Sequence, residues 1–231
     1  MNLNHLINIQ NALDYSFSNK DVAGVNCLVL QNGKEIGYWQ SGFRDIKKKE
    51  LYSRDTIVRL YSMSKPVTSV AAFILIERGL LDITAEVQKY LPEYKDLTVL
   101  KNNKIEKCSR PLLVQDLLNM TSGYTYGGSG TTGLEKTSEI LNALNDDVLN
   151  DCKISTREVA KRLASVPLEF EPGTDYQYGL SADILGAVIE VVSGMKFSDF
   201  LKKEIFIPLG MNETDFYVQN KNLPRLANVY K

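Results

Sequence analysis

Histidine is almost absent from this sequence. The 231 residues hold one, His5. It falls in the first turn of a predicted amphipathic helix over residues 3–18, marked by Leu3, Leu6, Ile7, Leu13 and Phe17. A Ser-His-Asp triad would have to use His5, and no G-x-S-x-G elbow occurs anywhere in the chain. A serine enzyme built on this sequence therefore needs a lysine as its base. Cysteine is scarce too. Cys27, Cys108 and Cys152 are odd in number and far apart. They fit neither a disulfide framework nor a metal-ligand spacing, which favours a reducing compartment. No metal and no organic cofactor is implied. The longest apolar run, Val70 to Ile76, is far too short to span a bilayer. The N-terminus lacks the cationic start of a secretory signal. The Asn-x-Thr sequons at Asn119 and Asn212 then carry no meaning, and a cytoplasmic protein is expected. A formal net charge of −1 leaves no electrostatic case for nucleic acid or an anionic membrane.

What is present reads as a soluble globular chain, long enough for one large domain or two small ones. Val22 to Leu30 reads as a strand, Asn32-Gly33 as a hairpin turn and Glu35 to Ser41 as the returning strand. Lys47-Lys48-Lys49 reads as a solvated turn. Thr56 to Leu60 is a short strand or an extended lead-in. A helix then runs from about Ser62 to Arg78, with Val67, Val70, Ala71, Ile74 and Leu75 as its buried face. Pro66 fits only the first turn and Gly79 reads as the C-terminal cap. From Leu80 to about Asp215 the pattern is mainly helical, with few clear strands. Helices are expected at 87–91, 114–120, 137–149, 155–164, 181–192 and 197–205, and Tyr124 to Gly133 reads as a loop.

Two S-x-x-K spacings occur. Ser193 and Lys196 straddle Gly194, a helix stop, and read as structural. Ser62 and Lys65 stand where the apolar helix begins. Residues i and i+3 share a helix face, so the hydroxyl and the amine can meet there. The unpaired N–H groups and partial positive charge of a helix start favour developing negative charge. Spacing and place alone leave an N-cap serine with a solvated lysine open beside catalysis. Gly128 to Gly133 matches G-x-G-x-x-G, but no strand is expected before it, as a nucleotide site would need. That loop is instead expected at the rim of the active site.

The stretch Tyr61 to Phe73 (YSMSKPVTSVAAF) resembles the nucleophile helix of the serine β-lactamase and penicillin-binding protein superfamily, closest to its class C β-lactamase-like esterase branch. Further segments resemble it in the same order: Leu80-Leu81-Asp82 with Val87 to Pro92, Leu113 to Gly123, Glu171 to Thr174 with Tyr176-Gln177-Tyr178, and Ile207 to Thr214. The resemblance implies an α+β fold, with an antiparallel sheet flanked by helices plus a mainly helical domain. Residues 1–80 would start the sheet domain and carry the nucleophile helix, 81–215 form the helical domain, and 216–231 begin the return to the sheet. It implies a serine hydrolase that forms an acyl-enzyme on a small ester or amide (β-lactam-like) substrate.

Ser62 would be the nucleophile. Lys65, its pKa lowered by burial and the helix start, would be the base, and the Ser62 N–H one oxyanion donor. Tyr178, in Tyr178-Gly179-Leu180 where the family has Tyr-x-Asn, would be the third catalytic group, with Tyr176 the close alternative. Tyr61, Tyr124 and Tyr176 are expected at the substrate. Leu180 in place of the usual Asn leans toward an esterase-like member. The family's third motif, Lys-Thr-Gly or His-x-Gly, has no match after Tyr178, and Lys136-Thr137-Ser138 comes too early. A chain without the final sheet strands is therefore expected, with self-association through an exposed sheet edge. A non-catalytic remnant or binding module of the same fold is the alternative.

Overall fold

In the computed structural model, residues 6–102 and 104–230 are described. Leu3 and His5 of the expected first helix lie outside them, as does the Ile7 side chain. The chain divides into two units. One comprises residues 1–61 together with 216–231, and the other runs from Ser62 to Asp215. The boundary differs from the expected one at residue 80, because the helix that begins near Ser62 packs with the helical unit.

In the first unit α1 (Ile7–Ser18) lies beside a three-stranded antiparallel sheet of order β1 (Gly24–Gln31), β2 (Lys34–Asp45), β3 (Glu50–Leu51). Asn32 and Gly33, both left-handed at φ 51° and 73°, make the tight β1–β2 turn that the sequence signals. Along β1, Asn26, Leu28 and Leu30 are exposed while Cys27 and Val29 are half-buried, the period-2 alternation of a strand. Phe17 of α1 meets Phe43 of β2 edge-on at 5.7 Å. The stretch 56–60, expected as a short strand or an extended lead-in, carries one bridge. Ile57 pairs in parallel with Leu226 as the chain returns.

The second unit is helical with one hairpin. Its elements are α2 (Ser64–Glu77), β4 (Thr98–Lys101), β5 (Lys104–Lys107), α3 (Val114–Leu118), α4 (Thr132–Leu149), α5 (Thr156–Leu163), α6 (Ser181–Ser193) and α7 (Phe197–Leu201), which continues as a π turn over Lys202–Phe206. The β4–β5 hairpin, with four residues in each strand, fits the expectation of few strands here. α4 starts five residues earlier than expected, because the Thr131 hydroxyl caps it by accepting the Leu134 N–H at 3.2 Å.

α6 is the central post. Ile184, Leu185, Ala187, Val188 and Ile189 are all buried, and a helix apolar on nearly every side belongs in a core. α2, α3, α5 and α7 pack around it. Gly194, left-handed at φ 66°, ends it. α2 buries Thr68, Ala71, Ala72 and Leu75, whereas Val70 is about half exposed. The buried stripe is thus rotated from the expected one. Thr68 belongs to it because its hydroxyl donates to the Ser64 carbonyl, which leaves only its methyl to pack.

Candidate active site

Ser62 lies in a 3₁₀ turn, Tyr61–Met63, that leads into α2. Tyr61 just before it is left-handed at φ 47°, a conformation that is costly for a large side chain and that gathers at functional sites. One turn on, Lys65 Nζ donates to Ser62 Oγ at 3.3 Å and to the Tyr126 hydroxyl at 2.5 Å. Nζ also stands 4.7 Å from the centre of the Tyr178 ring. The Tyr178 hydroxyl interacts with both Ser62 and Lys65. Tyr126 and Tyr178 are tilted against each other, 5.9 Å between ring centres. Four side chains thus converge: Ser62 and Lys65 from the start of α2, Tyr126 from the loop before α4, and Tyr178 from the loop before α6.

The two tyrosine loops are tied to one another by backbone. Gln177 N–H donates to the Met120 carbonyl and Gly173 N–H to the Thr121 carbonyl, at 3.0 and 2.7 Å. The buried hydroxyls of Ser122 and Ser181 bond at 2.7 Å, which fixes the first loop to the start of α6. At Gly179 the loops touch so closely that a Cβ would stand 2.1 Å from the Tyr124 carbonyl oxygen. The Pro172-Gly173 turn is held by Arg110, which donates to the Pro172 carbonyl and to the buried Asp116 carboxylate, the latter at 2.8 Å.

Electrostatics reverse one sequence expectation. Burial pushes the Lys65 ammonium down, but its hydrogen bonds to Tyr126 and Tyr178 outweigh burial, and the net displacement is upward from the ordinary lysine value. A lysine held charged is a poor proton acceptor. Tyr178 moves the other way. The hydrogen bond from Ser62 lowers it, burial opposes, and the Lys65 cation lowers it further, so its phenol ionises more readily than an ordinary tyrosine. The expected lowering of the Lys65 pKa is corrected to a displacement upward, and it is the Tyr178 phenol that is displaced toward its ionised form.

The other sequence-derived residues fall apart from this cluster. Tyr124 is fully buried with its ring edge-on to Tyr94 at 6.2 Å, and burial raises its phenol far above the ordinary value. It is a core residue and not a rim residue; the left-handed Gly123 just before it packs on the Leu168–Phe170 segment. Tyr176 is well exposed, and it is Tyr178, two residues on, whose ring lies against Lys65. Tyr61 is also exposed. Tyr126 was missed. Its only signal was membership of the loop expected at the rim. Ser193 and Lys196 stand apart, with Ser193 Oγ accepting the Met195 N–H at a helix end. Among the described residues no group of His, Cys, Asp and Glu could hold a metal, and no helix is long and apolar enough to cross a membrane.

A profile of the Beta-lactamase family matches residues 8–231. The chain belongs to that family. Relatives include esterase EstB of Burkholderia gladioli, 30% identical over 88% of this chain and 49% of its own length. Lovastatin esterase of Penicillium rubens is 27% identical over 74% of this chain and 42% of its own. Among solved structures, EstCE1, a hydrolase with promiscuous acyltransferase activity, superimposes with a TM-score of 0.79 at 24% identity, covering 97% of this chain and 56% of that one. Unliganded simvastatin synthase (LovD) from Aspergillus terreus gives 0.72 at 22%. The β-lactamase/transpeptidase-like α+β fold is therefore established, in a serine hydrolase family with esterase and acyltransferase members. The chain spans about half the length of the relatives it matches.

Proposed function

We propose that this family member is a serine hydrolase that forms an acyl-enzyme on ester or strained-amide substrates, with Ser62 as nucleophile. The observation that carries the reading is the convergence of Ser62 Oγ, the Lys65 ammonium and Tyr178 within one unit. Tyr178, as its phenolate, takes the Ser62 hydroxyl proton. Ser62 Oγ attacks the carbonyl carbon, whose π pair moves to oxygen, and the Ser62 N–H donates to that oxyanion. Collapse expels the leaving group, which receives the proton from the Tyr178 hydroxyl, and leaves Ser62 acylated. Water or an alcohol, deprotonated by the same phenolate, then attacks the acyl carbon; the adduct collapses by breaking its bond to Ser62 Oγ, which takes the proton back from the Tyr178 hydroxyl, and the acid or ester product leaves. Lys65 remains an ammonium throughout and holds Tyr178 ready to ionise.

Intact mass after exposure to a fluorophosphonate or a penicillin tests this. The wild-type chain gains one adduct and Ser62→Ala gains none. No Ser62-dependent adduct would sink the enzyme reading and leave a binding module of the same fold. Labelling rises with pH through the lowered Tyr178 value, because the phenolate accumulates, and it falls again only where the raised Lys65 loses its proton. The esterase relatives favour ester over amide substrates. Free Cys27, Cys108 and Cys152 support a cytoplasmic setting. Exposed Leu28 and Leu30 on β1, which pairs only with β2 among the described residues, support self-association.

A further inference from the structure

We infer that Tyr126 is the positioning residue for Lys65, and that its hydroxyl, more than its ring, keeps the ammonium on the reacting side of the site. The inference rests on the acyl-enzyme reading and deepens it. An ammonium has three N–H donors and no acceptor. Here those donors meet Ser62 Oγ, the Tyr178 hydroxyl and the Tyr126 hydroxyl, and the contact to Tyr126 is the shorter of the two measured, 2.5 against 3.3 Å. Lysine is a flexible four-carbon stem with a strongly hydrated head, and this one is half-buried beside open solvent. Without a fixed third acceptor the head is free to turn to water. Tyr178 would then lose the cation that lowers it.

Tyr126 is built as an anchor. Its neighbour Thr125 is buried, and Thr125 Oγ1 accepts the Gly127 N–H at 3.1 Å. Gly127, at φ 84°, packs so tightly on Ser138 of α4 that a Cβ would stand 2.5 Å from Ser138 Oγ. Gly128 N–H donates to the same hydroxyl at 2.8 Å. Gly127, with Gly128 at the head of the stretch that matched G-x-G-x-x-G, is thus a clamp on α4 that fixes Tyr126 just before it. A group held on both sides by packing and backbone bonds can orient a flexible partner with little loss of its own freedom.

The test is the rate of fluorophosphonate labelling of Ser62 against pH, in the wild-type chain, Tyr126→Phe, Tyr126→Ala and Ser62→Ala. Tyr126→Phe keeps the ring against Tyr178 and removes only the acceptor. It should label about ten- to a hundredfold more slowly near neutral pH, the worth of one hydrogen bond to a charged group. Its acid limb should move to higher pH, because Tyr178 regains the value of a phenol without a fixed cation. Tyr126→Ala should be no faster. A ring that serves only as packing predicts otherwise: Tyr126→Phe would match wild type in rate and midpoint while Tyr126→Ala alone falls, and that outcome overturns the inference with the acyl-enzyme reading intact. If labelling does not depend on Ser62 at all, the acyl-enzyme reading fails and this inference goes with it.

Discussion

The helical unit and the strand unit differ in what they bury. The apolar core, with the half-buried side chains packed on it, runs from Val67 to Met211, inside the helical unit. In the strand unit the buried residues, among those described, are Leu6 and Asp45. Asp45 is buried as a turn cap, its carboxylate accepting the Lys48 N–H at 2.9 Å, and contributes nothing to apolar packing. Leu28, Leu30 and Leu51 point to solvent. Ser62, Lys65, Tyr126 and Tyr178 all stand on the unit with the core. A charged lysine and an acidic phenol hold their geometry only where the elements beneath them are fixed, and α6 supplies that base.

The sharpest way to break this contrast is a matched pair of truncations. Ile184→Ala in α6 removes a fully buried side chain and should cost about 2–5 kcal/mol. Leu28→Ala, at a position 49% exposed, should stay within about 0.5 kcal/mol. Urea unfolding of the two variants decides, and equal costs would end the distinction. Native-state hydrogen exchange sharpens it without mutation. Amides of α6 should exchange about a hundredfold more slowly than those of β1, a gap of about 3 kcal/mol in opening free energy. Gly179→Ala tests whether the core reaches the site. Its Cβ would press on the Tyr124 carbonyl, so we expect a loss of about 1–3 kcal/mol. Ser62 labelling should slow at least in proportion, because the loops of Tyr126 and Tyr178 are forced apart.

The same contrast explains what could be read from sequence. Elements bounded by strong backbone signals were legible: Asn32-Gly33 for the first hairpin, Pro66 and Gly79 for α2, Ser155 and Gly194 for the ends of α5 and α6. The β4–β5 hairpin was not. Its strands are four residues each, its turn begins at Asn102 without a glycine, and β5 is exposed along its whole length, so no alternation marks it. Ser62 and Lys65 were legible because one helix turn joins them. The choice of Tyr178 over Tyr176, and of Tyr126 over Tyr124, depends on which way a loop residue faces. That is set by partners distant in sequence, such as Ser181 for Ser122 and Met120 for Gln177.

The gentlest test leaves the fold untouched and compares two thiols. Cys27 lies on β1 in the strand unit and Cys108 against the core of the helical unit. Burial, helped by the nearby Glu171 carboxylate, pushes the Cys108 thiol up to about 11, with Lys101 opposing. Only the thiolate is alkylated. Below that value its population, and hence the rate, should climb about tenfold for each pH unit. Exposed Cys152 should react with iodoacetamide first and Cys108 last. Peptide mass mapping over time gives the order. If Cys108 reacts as fast as Cys27 at mild alkaline pH, the helical unit opens as readily as the strand unit, and the core does not protect what the contrast says it protects.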